Sequence, residues 1–160
     1  MSTAAGKACP VCHTPLALIA LADQVGEEKP MRITLSGMPA LECEKKHRYF
    51  VHAEFPLWLM THLVDEDEAK LPAGRAKGFL IKHYVCTECG KDLAPKEDHR
   101  HAFRARESYK STPEFDVEIS MPVFKCVGCG REQLHSLDEV RKLTPAALVQ
   151  CFKAAGLKAP

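Results

Sequence analysis

Three Cys-x-x-Cys pairs constrain this chain more than anything else in it. Cys9/Cys12, Cys86/Cys89 and Cys126/Cys129 take six of the eight cysteines, and Cys43 follows Cys12 after thirty intervening residues. Two cysteines at this spacing sit on one tight turn, so two such turns brought together present four ligands as a tetrahedron around a metal ion. Cys86, Cys89, Cys126 and Cys129 make a complete set, and Gly90 and Gly130 directly after each pair let the backbone turn closely enough for amide hydrogens to reach the sulfurs. A dithiol-redox role would call for a βαβ pattern around one pair, and none is visible.

The cysteines recur because the chain is a repeat. Cys9-Pro-Val-Cys12 with Leu16 matches Cys86-Thr-Glu-Cys89 with Leu93, and Met31 to Ser36 matches Phe115 to Ser120. After one extra glycine, Gly37, Met38-Pro-Ala-Leu-Glu-Cys43 matches Met121-Pro-Val-Phe-Lys-Cys126, and ungapped continuation sets Arg48 against Arg131 and His52 against His135. In this register Lys46 stands where Cys129 does, so the first set has three cysteines. His47 is the expected fourth ligand, giving Cys9, Cys12, Cys43 and His47; His13 and His52 are its rivals, and a thiol cluster without metal is the remaining alternative.

Met31, Ile33 and Leu35 alternate with Arg32 and Thr34, and Phe115, Val117 and Ile119 with Asp116 and Glu118, the period of half-buried antiparallel strands. Each copy then runs into helix. Phe55-Pro56 opens an apolar helix to Val64, Ser136 to Glu139 has capping-box form, and Thr144-Pro145 before Ala146 to Ala155 reads as a second helix start closed by Gly156. The expected fold is small α+β and metal-stabilised: a zinc ribbon and helix over residues 1–64, a linker of charge, proline and glycine over 65–78, and a second ribbon with C-terminal helices over 79–160. Two structural Zn²⁺ ions are the expected cofactors, since modules this small bury too little surface to be stable alone.

Composition narrows the function. Basic and acidic residues number 22 and 21, a formal charge of +1, which gives no general attraction for polyanions. The longest apolar run, Leu16 to Ala22, is far short of a membrane span and lacks a signal peptide's basic start, so a cytoplasmic protein with no membrane partner is expected. Arg100, Arg104, Arg106 and Lys110, interleaved with Phe103 and Tyr109, are the candidate nucleic-acid contacts, although Asp98 and Glu107 fit a plain solvated strand. His99 and His101 form at most a weak metal pair, and Cys151 falls on a core helix face. Trp58, Leu59, Met60 and Leu63 must pack on the ribbon or on a partner, and an uncovered face would favour a homodimer. No catalytic motif is present, and four-ligand metal sites leave no position for substrate, so no enzyme activity is expected.

Ala8 to His13, the interval from Cys12 to Cys43 and the Ile33-Thr-Leu-Ser-Gly-Met-Pro-Ala-Leu-Glu-Cys43 approach resemble the zinc-binding N-terminal domain of YgiT/MqsA-type bacterial antitoxins. Val117 to Gly130 resembles the same pattern. The resemblance implies a bacterial ribbon that dimerises or binds a protein partner, a toxin in that family, with Cys9, Cys12 and Cys43 as ligands. The family's DNA-binding helix-turn-helix is not implied, because 31 residues after Cys129 are too few for it. The leading expectation is a non-enzymatic protein-interaction module, with nucleic-acid or transcription-associated binding as the alternative.

Overall fold

The two repeats find each other through the strands that match in sequence. The computed structural model describes residues 6–66 and 72–160. In it β3 (Met31–Ser36) lies antiparallel to β9 (Phe115–Lys125). Thr34 pairs with Glu118, its own counterpart in the other copy, while Ile33 pairs with Ile119 and Leu35 with Val117. That exchange of partners is what a two-fold axis through the Thr34–Glu118 pair requires, so the repeat is assembled as an internal pseudo-dimer. β2 (Gln24–Glu28) pairs with the free side of β3, and β8 (His99–Glu107) with that of β9. Met31, Ile33, Leu35, Phe115, Val117 and Ile119 are buried as their alternation predicts, and Arg32 and Asp116 are exposed.

Gly37, at φ +72, makes the copies differ. It breaks the first into β3 and β4 (Pro39–Glu42), where the second runs unbroken for 11 residues in β9. β4 joins another sheet in the order β1 (Ala17–Ala20), β4, β5 (Arg48–Tyr49), β11 (Leu157–Lys158). β10 (Glu132–Gln133) continues the pairing on the far end of β9. β11 is parallel to β5, and the Phe50 N–H donates to the Lys158 carbonyl at 3.0 Å, so the end of the second copy is stitched to the first.

The helices cross over. α1 (Phe55–Glu66) belongs to the first copy but packs on the second: Phe55 lies 5.8 Å from Phe115 and 5.4 Å from Tyr109 between ring centroids, and His62 Nε2 is 2.7 Å from Glu107 Oε2. α2 (Leu137–Ala155) belongs to the second copy and packs on β2 and β3 of the first. Phe55, Leu59 and Leu63 are fully buried and Trp58 and Met60 pack half-buried against the same core, while Leu57 remains exposed. The C-terminal region is one 19-residue helix, not the two segments expected from Thr144-Pro145. Ser136 caps it by accepting the Glu139 N–H at 3.1 Å. Pro145 removes one backbone donor, but Val140, Thr144, Ala147, Leu148, Cys151, Phe152 and Ala155 form one buried stripe across it, and packing outweighs a single lost bond.

The expected boundary at 65–78 separates the copies along the chain, not in space. Its residues 67–71 lie outside the described ones, and Arg75–Lys77 forms β6, paired with β7 (His83–Val85). One main core draws on both copies; a small second cluster gathers Cys86, Leu93, Phe124 and Cys126, with Tyr84 against it. The whole is a small α+β fold with two helices and mostly antiparallel strands among the described residues.

Candidate metal centres

All four cysteine turns share one hydrogen-bonding pattern. The leading cysteine's N–H donates to a carbonyl beyond the turn: Cys9 to Thr14 at 2.8 Å, Cys86 to Lys91 at 2.8 Å, Cys126 to Arg131 at 3.0 Å and Cys43 to His47 at 3.2 Å. Its carbonyl accepts the N–H of a residue in left-handed conformation: His13, Gly90, Gly130 and Lys46, with φ between 63 and 74. The turn at Cys43 is one residue shorter than that at Cys126. Lys46 therefore corresponds to Gly130, and His47 to Arg131. The strand pairs Glu42–Arg48 and Lys125–Glu132 confirm this register. It corrects the ungapped alignment: Arg48 corresponds to Glu132, and His52 does not correspond to His135.

The shortened turn explains the ligand set. It has no room for a second cysteine, so the fourth ligand comes from beyond the left-handed residue on a longer side chain. His47 Nδ1 reaches 3.5 Å from Cys9 Sγ and 3.4 Å from Cys43 Sγ, and Cys12 Sγ lies 3.6 Å from Cys43 Sγ. In the second centre Cys86 and Cys129 Sγ are 3.8 Å apart, Cys89 and Cys126 Sγ 3.3 Å. A tetrahedron with 2.3 Å metal–sulfur bonds has edges of about 3.8 Å, whereas a disulfide holds its sulfurs at about 2.05 Å. Cys9, Cys12, Cys43 and His47, and likewise Cys86, Cys89, Cys126 and Cys129, are thus two groups of four ligands that can each hold a metal ion. His13 and His52 fall outside the first group. His13 is exposed on its turn, and His52 packs edge-on to Tyr109 at 5.5 Å.

Electrostatics favour a cation in both centres. Burial raises the Cys9 thiol, but the Tyr49 hydroxyl and the N–H groups of Cys12 and Val11 outweigh it and hold it at about 5. Tyr49 itself is pushed up to about 12, first by that bond to Cys9 and then by burial, so it stays a donor to the sulfur at 3.4 Å. The Cys89 N–H lowers Cys86, and against burial the Gln133 amide at 2.9 Å helps hold it at about 6. Cys43 and Cys126 are also lowered, whereas Cys129, against the Arg131 N–H, is pushed up to about 11 by burial and by the sulfurs of Cys126, Cys86 and Cys89. Thiolates crowded at these separations repel one another unless a metal shares their charge. Tyr49 and Gln133 escape sequence reasoning because the ungapped register hid their equivalence: each lies three residues beyond the left-handed residue of its turn.

The other candidates are not brought to these centres. Arg104 Nε is 2.7 Å from Glu118, Arg106 Nε is 3.2 Å from Glu114, and Arg100 bonds Ser120 and the Pro30 carbonyl. Lys110 lies over the Tyr109 ring at 5.1 Å. His99 joins Asp98 and Glu132 in an exposed group of three, with Lys125 Nζ 3.5 Å from Asp98, while His101 packs against Phe103. Cys151 is fully buried, and burial pushes its thiol up to about 12. No helix of the described residues is long and apolar enough to cross a membrane.

Comparison with family models, curated proteins and solved structures gives no match to this chain.

The first centre's composition can be tested directly. His47→Ala is expected to lower metal content by one equivalent per chain, whereas His13→Gly keeps full loading and relieves a strained φ of 63, with stability unchanged or raised by about 0.5 kcal/mol. Elemental analysis with thermal unfolding decides it. Equal metal loss in both variants would remove His47 from the site.

Proposed function

We propose that this chain is a non-enzymatic tandem zinc-ribbon protein that acts as a protein-interaction module, antitoxin-like in its first copy. The carrying observation is that both four-ligand groups are complete and made wholly of protein atoms. Thiolate-rich tetrahedral sets of this kind favour zinc, and a metal so enclosed has no position left for substrate or water. Its role is then to hold turns in place, and the turn surfaces are what the protein offers. Val11 and Val127, 58% and 66% exposed, stand between paired cysteines on two of those turns.

The antitoxin resemblance implies a ribbon that dimerises or binds a toxin. Here β3 and β9 already join the two copies within one chain, which supports partner binding as the role left to the exposed surfaces. The nucleic-acid alternative gains little support, since Arg104 and Arg106 are paired with carboxylates. A bacterial cytoplasmic setting fits free thiolates and zinc.

The test has two arms. Elemental analysis of the purified protein should find two zinc ions per chain. A partner recovered from the native host should rebind in purified form, lose affinity on chelation and lose it with Val11→Asp or Val127→Asp. Binding of single-stranded or duplex nucleic acid with a steep salt dependence would instead establish the alternative.

A further inference from the structure

The β6–β7 hairpin ends in an apolar tip that the metal centres do not explain. Gly78, at φ +109, makes the turn where a Cβ would lie 2.2 Å from the Ile81 carbonyl oxygen, so no other residue fits. Beyond it Phe79, Leu80 and Ile81 are 98%, 92% and 83% exposed. Three consecutive large apolar side chains left this bare mark a contact surface rather than chance exposure. The two strands form a two-stranded sheet whose inner end is held by the Leu93 N–H donating to the Tyr84 carbonyl at 2.9 Å, and every residue of Arg75–Lys77 is exposed. The root is tied down, with the Gly74 N–H donating to the Leu134 carbonyl at 2.8 Å. The tip is therefore a convex knob on a fixed stalk.

The hairpin's own charges are of one sign, although at its root Arg75 and Lys82 line a hollow shared with Asp138 and Glu139. Residues 72–85 contain Arg75, Lys77 and Lys82 and no aspartate or glutamate, and the two lysines bracket the apolar triad. We propose that this tip anchors the protein reversibly to an anionic lipid surface: Phe79, Leu80 and Ile81 enter the boundary between headgroups and acyl chains, and Arg75, Lys77 and Lys82 hold lipid phosphates. A fluid interface receives a convex apolar knob without a shaped groove, whereas a specific protein interface needs about 800 Å² from each partner, more than three side chains supply. Tip-to-tip pairing of two molecules would set one trio of cations against another. Neither the apolar nor the basic component suffices alone, but together they are the usual pair of signals for peripheral binding. Run length, from which no membrane partner is expected, detects spanning helices and overlooks a three-residue tip.

Flotation of the full-length protein, as purified, with vesicles tests this. Equimolar phosphatidylcholine and phosphatidylglycerol vesicles should carry the protein, and pure phosphatidylcholine should carry much less. Leu80→Asp should lower partitioning at least about tenfold, and Lys77→Glu with Lys82→Glu about tenfold with a flatter salt dependence. Circular dichroism and metal content should not change, because these side chains are exposed and lie outside both ligand groups. The proposal is overturned if the wild type stays off anionic vesicles, or if Leu80→Asp floats as well as the wild type. It is equally overturned if the wild type ignores vesicles but sediments as a dimer that Leu80→Asp splits, which would make the tip a protein interface.

Discussion

Cys9→Ser should unfold most of the chain, whereas Cys86→Ser should open one end of it. Each substitution removes the buried leading cysteine of a turn and should release one metal ion. Structural zinc contributes on the order of 10 kcal/mol of apparent binding energy, comparable with a whole domain's folding margin. The difference between the variants lies in what each metal is fastened to. Cys9 and Cys43 belong to the main core, and the sheet beside them holds the end of α2 through Phe50, whose ring meets Phe152 edge-on at 5.0 Å, and through Arg48, which donates to the Ala155 carbonyl at 3.3 Å. Cys86 and Cys126 sit in the separate small cluster with Leu93 and Phe124. Hydrogen exchange should therefore show α2 and β3 exposed in Cys9→Ser. In Cys86→Ser, protection should be lost around 84–93 and 126–134 only. Equal, global loss in both variants would show that the shared core has no stability of its own.

Gly26→Ala should be among the most destabilising single substitutions, at about 3 kcal/mol or more. A Cβ there would lie 2.0 Å from the Ala147 carbonyl oxygen, 2.7 Å from the Cys151 backbone nitrogen and 2.8 Å from Cys151 Sγ. Two of these atoms are helix backbone, so no rotamer change relieves the clash and α2 must lift from β2. That lift would break the bond from the Cys151 thiol to the Ile33 carbonyl at 3.5 Å and the fit of the Thr144 hydroxyl against Met31. Chemical denaturation of the metal-loaded protein measures the loss. A change below about 1 kcal/mol would mean that the helix sits further from the sheet than the structure has it.

Features fixed over a few residues were legible in advance. Three Cys-x-x-Cys pairs, the glycines behind two of them, the alternation at Met31 to Leu35 and Phe115 to Ile119, and the Gly156 stop all appear as read. Each depends on geometry within one turn or strand. The single-residue deletion in the Cys43 turn was not legible, because composition there is compatible with two registers and only the hydrogen bonds of Lys46 and His47 distinguish them. Thr144-Pro145 misled for a related reason: local preference marks a helix start, and burial on both sides of the proline overrides it.

By itself the sequence determined which seven cysteines gather into two groups, the duplication and the inward faces of the paired strands, since all of these are written in spacing and period, whereas the choice of His47 over His13 and His52 needed the folded turns. Tertiary structure alone decided that matching strands would pair with each other, that each helix would cover the opposite copy, and that Phe79, Leu80 and Ile81 would be left outside. Those outcomes turn on contacts between residues far apart in the chain, from 45 positions for His62 with Glu107 to 107 for Arg48 with Ala155. An apolar residue carries the same local signature whether such a contact buries it or none does.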